Sequence, residues 1–370
     1  MLVITMSENQ INQYRPSTVT PPGATLADLI EERGIKQAEL ATRMGVTPKF
    51  INELVAGKAS ITPTTALAME RALDVPADFW LAREARYQES IARTHSQTEM
   101  AAQTDWLDEL PLKDMRSFGW VPDCKSKPEY VQACLQYFGV ASVEAWRAQY
   151  IERTISSAAY RMSKNSSAAQ GAIAAWLRQG ELQAAKVDCG DFDRSQLVKA
   201  IEAARPLTCE QEPQSFIPNL INLFSPVGVA IVFVRAPKGC PVSGVVRWLS
   251  KSKALIQLSF RYMRNDSLWF TFFHECGHIY LHGKKMMFLE TAKAISNKEE
   301  EEANKFAADK LIPPEKWAAF CDGHYSEEMI AAFAADIGIH PGIVVGRLQN
   351  EGAVPWHRLT HLKVIYSWKD

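Results

Sequence analysis

The 370-residue sequence predicts an α+β protein that is mostly helical. Three observations point there. From Thr25 to about Arg93 the chain is a succession of short helical patterns, broken by single turns at Gly34, Gly45 and Gly57. Three short β-rich runs, VGVAIVFV (227–234), SGVVRWL (243–249) and ALIQLSF (254–260), follow one another with turn residues between them, as in a small sheet. After them come an apolar run, an acidic helix and a further helical stretch. Strands followed by helices within one segment mark an α+β domain.

The elements divide the chain into four parts. Residues 1–22 hold Pro16, Pro21 and Pro22 among small polar residues and read as a flexible tail. Residues 23–95 are the first helical domain. The strip RTHSQTEMAAQTD (93–105) is polar throughout and reads as a linker. Residues 96–215 alternate helical stretches with proline breaks, the clearest helix being SSAAQGAIAAWLRQGELQAAK (166–186). They carry no chemical motif and are read as a helical linker or scaffold. Residues 216–370 hold the sheet and everything after it.

Composition narrows the setting. A hydrophobic fraction of 47% is that of a globular protein. No apolar run reaches the roughly 18 residues that span a bilayer, and the start, MLVITMSENQ, turns polar too soon for a signal peptide. Seven scattered cysteines with no CxxC pair suit a reducing compartment better than a disulfide framework. The expected location is the cytoplasm, with no membrane partner. The net charge of −1 decides nothing about nucleic acid, because a local basic face fits inside a neutral total.

The chemistry lies in LWFTFFHECGHIYLHG, from Leu268. His274 and His278 are four apart, so on a helix they share a face about 6 Å from each other. Both imidazoles then reach one ion at about 2.0–2.1 Å. Glu275 stands beside the first ligand, placed to contact a water rather than the metal. Trp269, Phe270, Phe272, Phe273, Ile279 and Leu281 would bury this helix, and buried polar groups without partners cost a few kcal/mol each. A metal ion supplies the partner. A third ligand is available in NKEEEEANKFAADKLIP (297–313), where Glu300 and Asn304 share a helical face beside the small Ala303 and Ala307. Glu300 completes a His, His, Glu set, and Asn304 is placed to hydrogen bond a ligand from behind. Glu301 and Glu302 adjoin, so the assignment within this acid run stays open by a residue or two. His282 lies four beyond His278, too far along a straight helix to converge with both histidines. Gly283 is read as the helix end, and Cys276 as core. The reading is one zinc ion per chain, with Glu275 as general base. The strand ALIQLSF is a candidate edge for holding an extended peptide.

FHECGHIYLHG together with EEANKFAADKLIP resembles the ImmA/IrrE family of metallopeptidases, over about residues 216–320. The resemblance implies a gluzincin-like peptidase domain whose ligands are His274, His278 and Glu300 and whose general base is Glu275. It also implies a protein substrate of the repressor kind.

The first domain has a different task. In KQAELATRMGVTPKFINELVAGKASITPTTALAMERALDVPADFW (36–80), Leu40, Ala41 and Met44 give one inward face, Gly45 makes a turn and Val46 packs inside. Thr47 caps a second helix with Pro48 at its first position, and Ile51 and Leu54 face in. Thr47, Lys49, Phe50, Asn52 and Glu53 are left nearer the outside, where such a helix meets the major groove. Gln37 begins the preceding helix, where its amide suits a phosphate. Lys36, Arg43, Lys49 and Lys58 outweigh Glu39 and Glu53 locally. The stretch resembles the helix-turn-helix of HigA-type antitoxins and Xre-type repressors over about residues 23–90. The expected partner is an operator in double-stranded DNA, contacted by Gln37, Thr47, Lys49, Asn52 and Lys58, with the chain as a homodimer. AFAADIGIHPGIVVGRLQ (332–349) repeats the rhythm, with Gly338, Ile339 and Pro341 in place of Gly45, Val46 and Pro48. Its second helix offers bases few hydrogen bonds and is read as packing.

Two functions fit. One is a DNA-binding regulator that also cleaves a repressor, another regulatory protein or itself. The other is an antitoxin-like repressor that binds DNA and a toxin and whose metal site is structural or inactive. Glu275 favours the first, because a purely structural site has no use for it.

Overall fold

The computed structural model describes residues 19–155, 167–260, 264–289, 297–320 and 325–366. Most of the expected tail therefore lies outside the described residues. The chain forms two compact units, residues 1–102 and 103–370.

Among the described residues the first unit has five helices: α1 (Pro22–Glu32), α2 (Gln37–Met44), α3 (Pro48–Val55), α4 (Pro63–Leu73) and α5 (Ala77–Ala102). Gly45 ends α2 with φ 68°, a left-handed conformation that a side chain resists. Two residues later Thr47 caps α3, its hydroxyl accepting from the Phe50 N–H at 3.2 Å. The turn drives Leu40, Ala41, Ile51 and Leu54 into one core with Leu26, Ala66, Met69 and Trp80. The expected linker strip is not loose. Its residues 93–102 are the end of the 26-residue α5, held by surface pairs such as Arg93 with Glu89 at 2.6 Å and His95 with Glu99 at 3.4 Å. Its sequence has no Gly or Pro to stop a helix.

The second unit is built on a three-stranded sheet of β1 (Val229–Phe233), β2 (Gly244–Trp248) and β3 (Ala254–Leu258). The order is β1-β3-β2, with β3 parallel to β1 and antiparallel to β2. The β-run expected to offer an edge, ALIQLSF, is thus the central strand, fully paired on both sides; β2 is the edge beside the helices that follow.

Helices cover both faces. α6 (Ser167–Ala184) packs on β1 and β3 from one side, while α7 (Pro213–Phe224) and α8 (Asn265–Leu289) pack on the other. Trp176 on α6 donates from Nε1 to the Val234 carbonyl at 3.0 Å, and Gln257 on β3 donates to the Trp176 carbonyl at 2.6 Å. The region expected as separate scaffold is one layer of the fold, which is why β3 is buried at every position.

α8 and α9 (Asn297–Leu311) pack together, and α10 (Glu327–Ile337) and α11 (Pro341–Asn350) follow. Gly338 takes φ 69° between α10 and α11, as Gly45 does between α2 and α3. The second helix of this repeat is buried at Ile343, Val344, Val345 and Leu348, so it packs. α8 runs through Gly283, contrary to the expected end there. Gly283 has no left-handed φ and faces the Trp248 ring, to which an added Cβ would come within 3.5 Å.

Candidate metal centre and nucleic-acid interface

Helical spacing on α8 brings His274 and His278 together, and α9 carries Glu300 up to them. The two Nε2 atoms are 2.9 Å apart. Glu300 stands 3.5 Å from each, Oε2 toward His274 and Oε1 toward His278. Among the described residues these three form a cluster able to hold a metal ion, with ligand atoms within 4.8 Å of one another. A tetrahedron with ligands about 2.0–2.1 Å from its centre has edges of about 3.3 Å. The donor set and its spacing fit zinc.

Asn304 lies one turn after Glu300 on the same face of α9. Its Oδ1 is 2.9 Å from His274 Nδ1. An amide oxygen there accepts from Nδ1–H, which leaves the Nε2 lone pair facing Glu300 and His278. His282 is not part of the cluster: its Nε2 pairs with Glu302 Oε2 at 2.9 Å. The acid run therefore sends Glu300 to the centre and Glu302 to a neighbouring histidine.

Glu275 is buried, and desolvation pushes its carboxyl up to about 8. The next residue, Cys276, is in the core. Sequence reasoning passed over the residue that makes room for Glu275. An ideal Cβ built on Gly244 would fall 2.9 Å from Glu275 Oε1 and 2.5 Å from Thr271 Cγ2. Only a glycine lets β2 come so close. The ladder fixes which way its backbone points. Ser259 N–H bonds the Ser243 carbonyl and Leu249 N–H bonds the Lys253 carbonyl, so the odd residues of β2 pair with β3. In an antiparallel ladder the even ones, Gly244, Val246 and Trp248, then turn N–H and C=O outward.

Not every aromatic expected in the core is there. Trp269, Phe272, Phe273 and Ile279 are buried, but Phe270 and Leu281 are 37% and 39% exposed. They lie one turn before and two turns after His274, on the face that carries His274 and His278. Phe270 borders a cavity of about 500 Å³ whose walls include Asn304, Ala308, Ile343 and Trp356.

In the first unit, Thr47, Lys49, Asn52 and Lys58 are exposed and Gln37 is half-buried at the start of α2. Lys49 is 85% exposed and 3.8 Å from Glu53. Phe50, expected outside, packs against the core.

Residues 26–80 match the family model described as helix-turn-helix. Residues 248–348 match that of a peptidase family, the IrrE N-terminal-like domain. No curated protein matches the chain. A solved structure assigned as an antidote protein of a plasmid maintenance system, from Nostoc punctiforme PCC 73102, is similar at 28% identity. It covers 23% of this chain and 91% of its own, with a TM-score of 0.22.

Proposed function

We propose that this chain, which joins a helix-turn-helix domain to an IrrE-type peptidase-family domain, is a DNA-binding regulator with a zinc-dependent endopeptidase activity. The observation that carries the reading is the convergence of His274, His278 and Glu300 with Glu275 beside them. His274, His278 and Glu300 would hold the ion, and Asn304 would fix the His274 ring. When bound, zinc lowers the pKa of a water toward about 7 and polarises a carbonyl.

The chain's own residues do the rest. Desolvation makes the ionised Glu275 carboxylate a stronger base; in that form it takes the proton of the attacking water and returns it to the leaving amine. An extended peptide pairs with the outward N–H and C=O groups of Gly244 and Val246 on β2, which lays its backbone beside Glu275. The buried aromatic face of α8 keeps bulk water from the far side.

Lys49, Asn52 and Thr47 on α3, with Gln37 and Lys58 flanking it, would contact an operator in double-stranded DNA, and the chain would act as a homodimer. We place it in the cytoplasm; among the described residues no single helix is long and apolar enough to cross a membrane. The substrate would be a regulatory protein, such as a repressor or the chain itself. The test is direct. Purified protein should carry about one zinc per chain, and comparing cellular proteins after exposure to the parent or Glu275→Gln protein should reveal fragments made by the parent alone. Zinc-free native protein, or identical fragments from both, would defeat the reading.

A further inference from the structure

The cavity beside the metal centre has no part in holding an ion, yet it shares two walls with it. Phe270 precedes His274 by one turn, with ring centroids 6.4 Å apart. Asn304, which bonds His274 Nδ1, also lines the cavity. The floor is apolar, formed by Ala308, Leu311, Ile312 and Ile343, with Trp356 at the rim. Trp356 is 63% exposed, with the Lys363 Nζ 5.8 Å from its ring. The volume of about 500 Å³ lies within the roughly 300–1,000 Å³ common for ligand sites.

Three of the four charged groups on the walls, Arg347, Glu351 and Asp266, are already engaged. Arg347 bonds Glu351 at 2.9 Å and stacks on Trp317 at 4.4 Å. It also donates to the carbonyls of Ala308 and Ile312. Asp266 is paired with the buried Lys363. With those charges engaged inside the wall, Lys305, exposed on α9, is the other charge lining the cavity, and the rest of the surface left for a guest is chiefly apolar and aromatic.

Position selects the guest. β2 borders α8 on the flank of Glu275 and Thr271, whereas the cavity opens on the flank facing α9. A peptide lying along β2 with a carbonyl at the metal centre has its next residue about 3.3 Å further on. From there a large side chain reaches past Phe270 and Asn304. We infer that this cavity is the specificity pocket of the peptidase, and that it receives a large apolar side chain (Leu, Met or Phe in size) from the substrate residue next to the cleaved bond. The inference rests on the peptidase reading, and its test separates the two.

Binding is measured by calorimetry on the zinc-loaded full chain carrying Glu275→Gln, so that no turnover intervenes. The probes are short capped peptides identical except for one central residue, Gly, Leu or Phe. Burying such a side chain should make the Leu and Phe peptides bind about tenfold more tightly than the Gly peptide. Ala308→Phe, which fills the cavity, should bring that ratio close to one while zinc content stays the same. Trp356→Ala alters only an exposed side chain and should reduce the ratio, so the test survives if Ala308→Phe fails to fold. Equal binding of the three peptides, or undiminished discrimination in both variants, overturns the pocket. Discrimination without cleavage by the parent chain leaves the pocket and removes the peptidase; cleavage without discrimination does the reverse.

Discussion

Asn304 shows how much of the centre depends on a residue that touches no ion. Its oxygen sets which nitrogen of His274 carries the proton. Asn304→Ala removes that anchor and leaves the three proposed ligands in place. Zinc affinity should fall about 10- to 100-fold, measured by competition with a chelator of known strength. An affinity equal to that of the parent would mean His274 is oriented by packing alone. At this scale the sequence was legible where chemistry repeats at helical spacing: His274 and His278 one turn apart, Glu300 and Asn304 likewise. It was illegible where the partner comes from another element. Nothing in SGVVRWL announces that Gly244 leaves room for a carboxylate on α8. The acid run could not tell Glu300 from Glu302 either, because both ends of that choice meet a histidine of α8.

At the scale of elements, the second helix of the helix-turn-helix, α3, and the cap of α11 each yield an outcome. Lys49 projects from α3 with 85% of its side chain exposed and only a 3.8 Å pairing to Glu53, too long and too exposed to hold it strongly. Lys49→Ala should weaken operator binding about equally across sequences and reduce the slope of log affinity against log salt by about 0.9. An unchanged slope would take this lysine off the phosphates. His340 caps α11: its Nδ1 accepts from Gly342 N–H at 3.0 Å and stands 3.0 Å from Asn265 Nδ2 on the first residue of α8. Both contacts need an unprotonated Nδ1, and burial lowers the pKa of this ring below its ordinary 6.5. A depressed histidine pKa gives stability that is present above about 6.5 and is lost as pH falls through the lower folded-state value. His340→Asn, which can cap without titrating, should flatten the decline of the larger unit's unfolding midpoint on acidification. A decline as steep as the parent's would assign it to other groups. The strands were read within two residues of their ends, since β-branched runs bounded by turns leave little choice. The end of α5 reads as a linker because a helix without a wide apolar stripe looks like one. The edge was misplaced because strand order is set by long-range pairing that no local run records.

At the scale of the molecule, two compact units with separate cores define what can be cut apart. One gathers Leu26, Leu40, Ile51, Met69 and Trp80; the other gathers sheet, α7, α8 and the C-terminal helices. The break falls at residue 102 and not at 215, because α6 covers a face of β1 and β3. A fragment of residues 216–370 would bare Ala230, Val232 and Leu255, all buried in the intact chain, and lose the Trp176 bonds. It should aggregate, while 103–370 should fold, hold zinc and keep whatever peptidase activity the full chain shows. In the full chain the same division predicts two unfolding transitions by calorimetry. All three proposed ligands belong to the larger unit, and a ligand bound only to the folded form stabilises by RT ln(1 + [L]/Kd), about 4 kcal/mol at a thousandfold excess over Kd. Chelation should therefore lower the transition of the larger unit and leave that of residues 1–102 where it was. A single transition that moves as a whole would show that the two cores unfold as one, and a shift confined to the smaller unit would put the metal somewhere other than between α8 and α9.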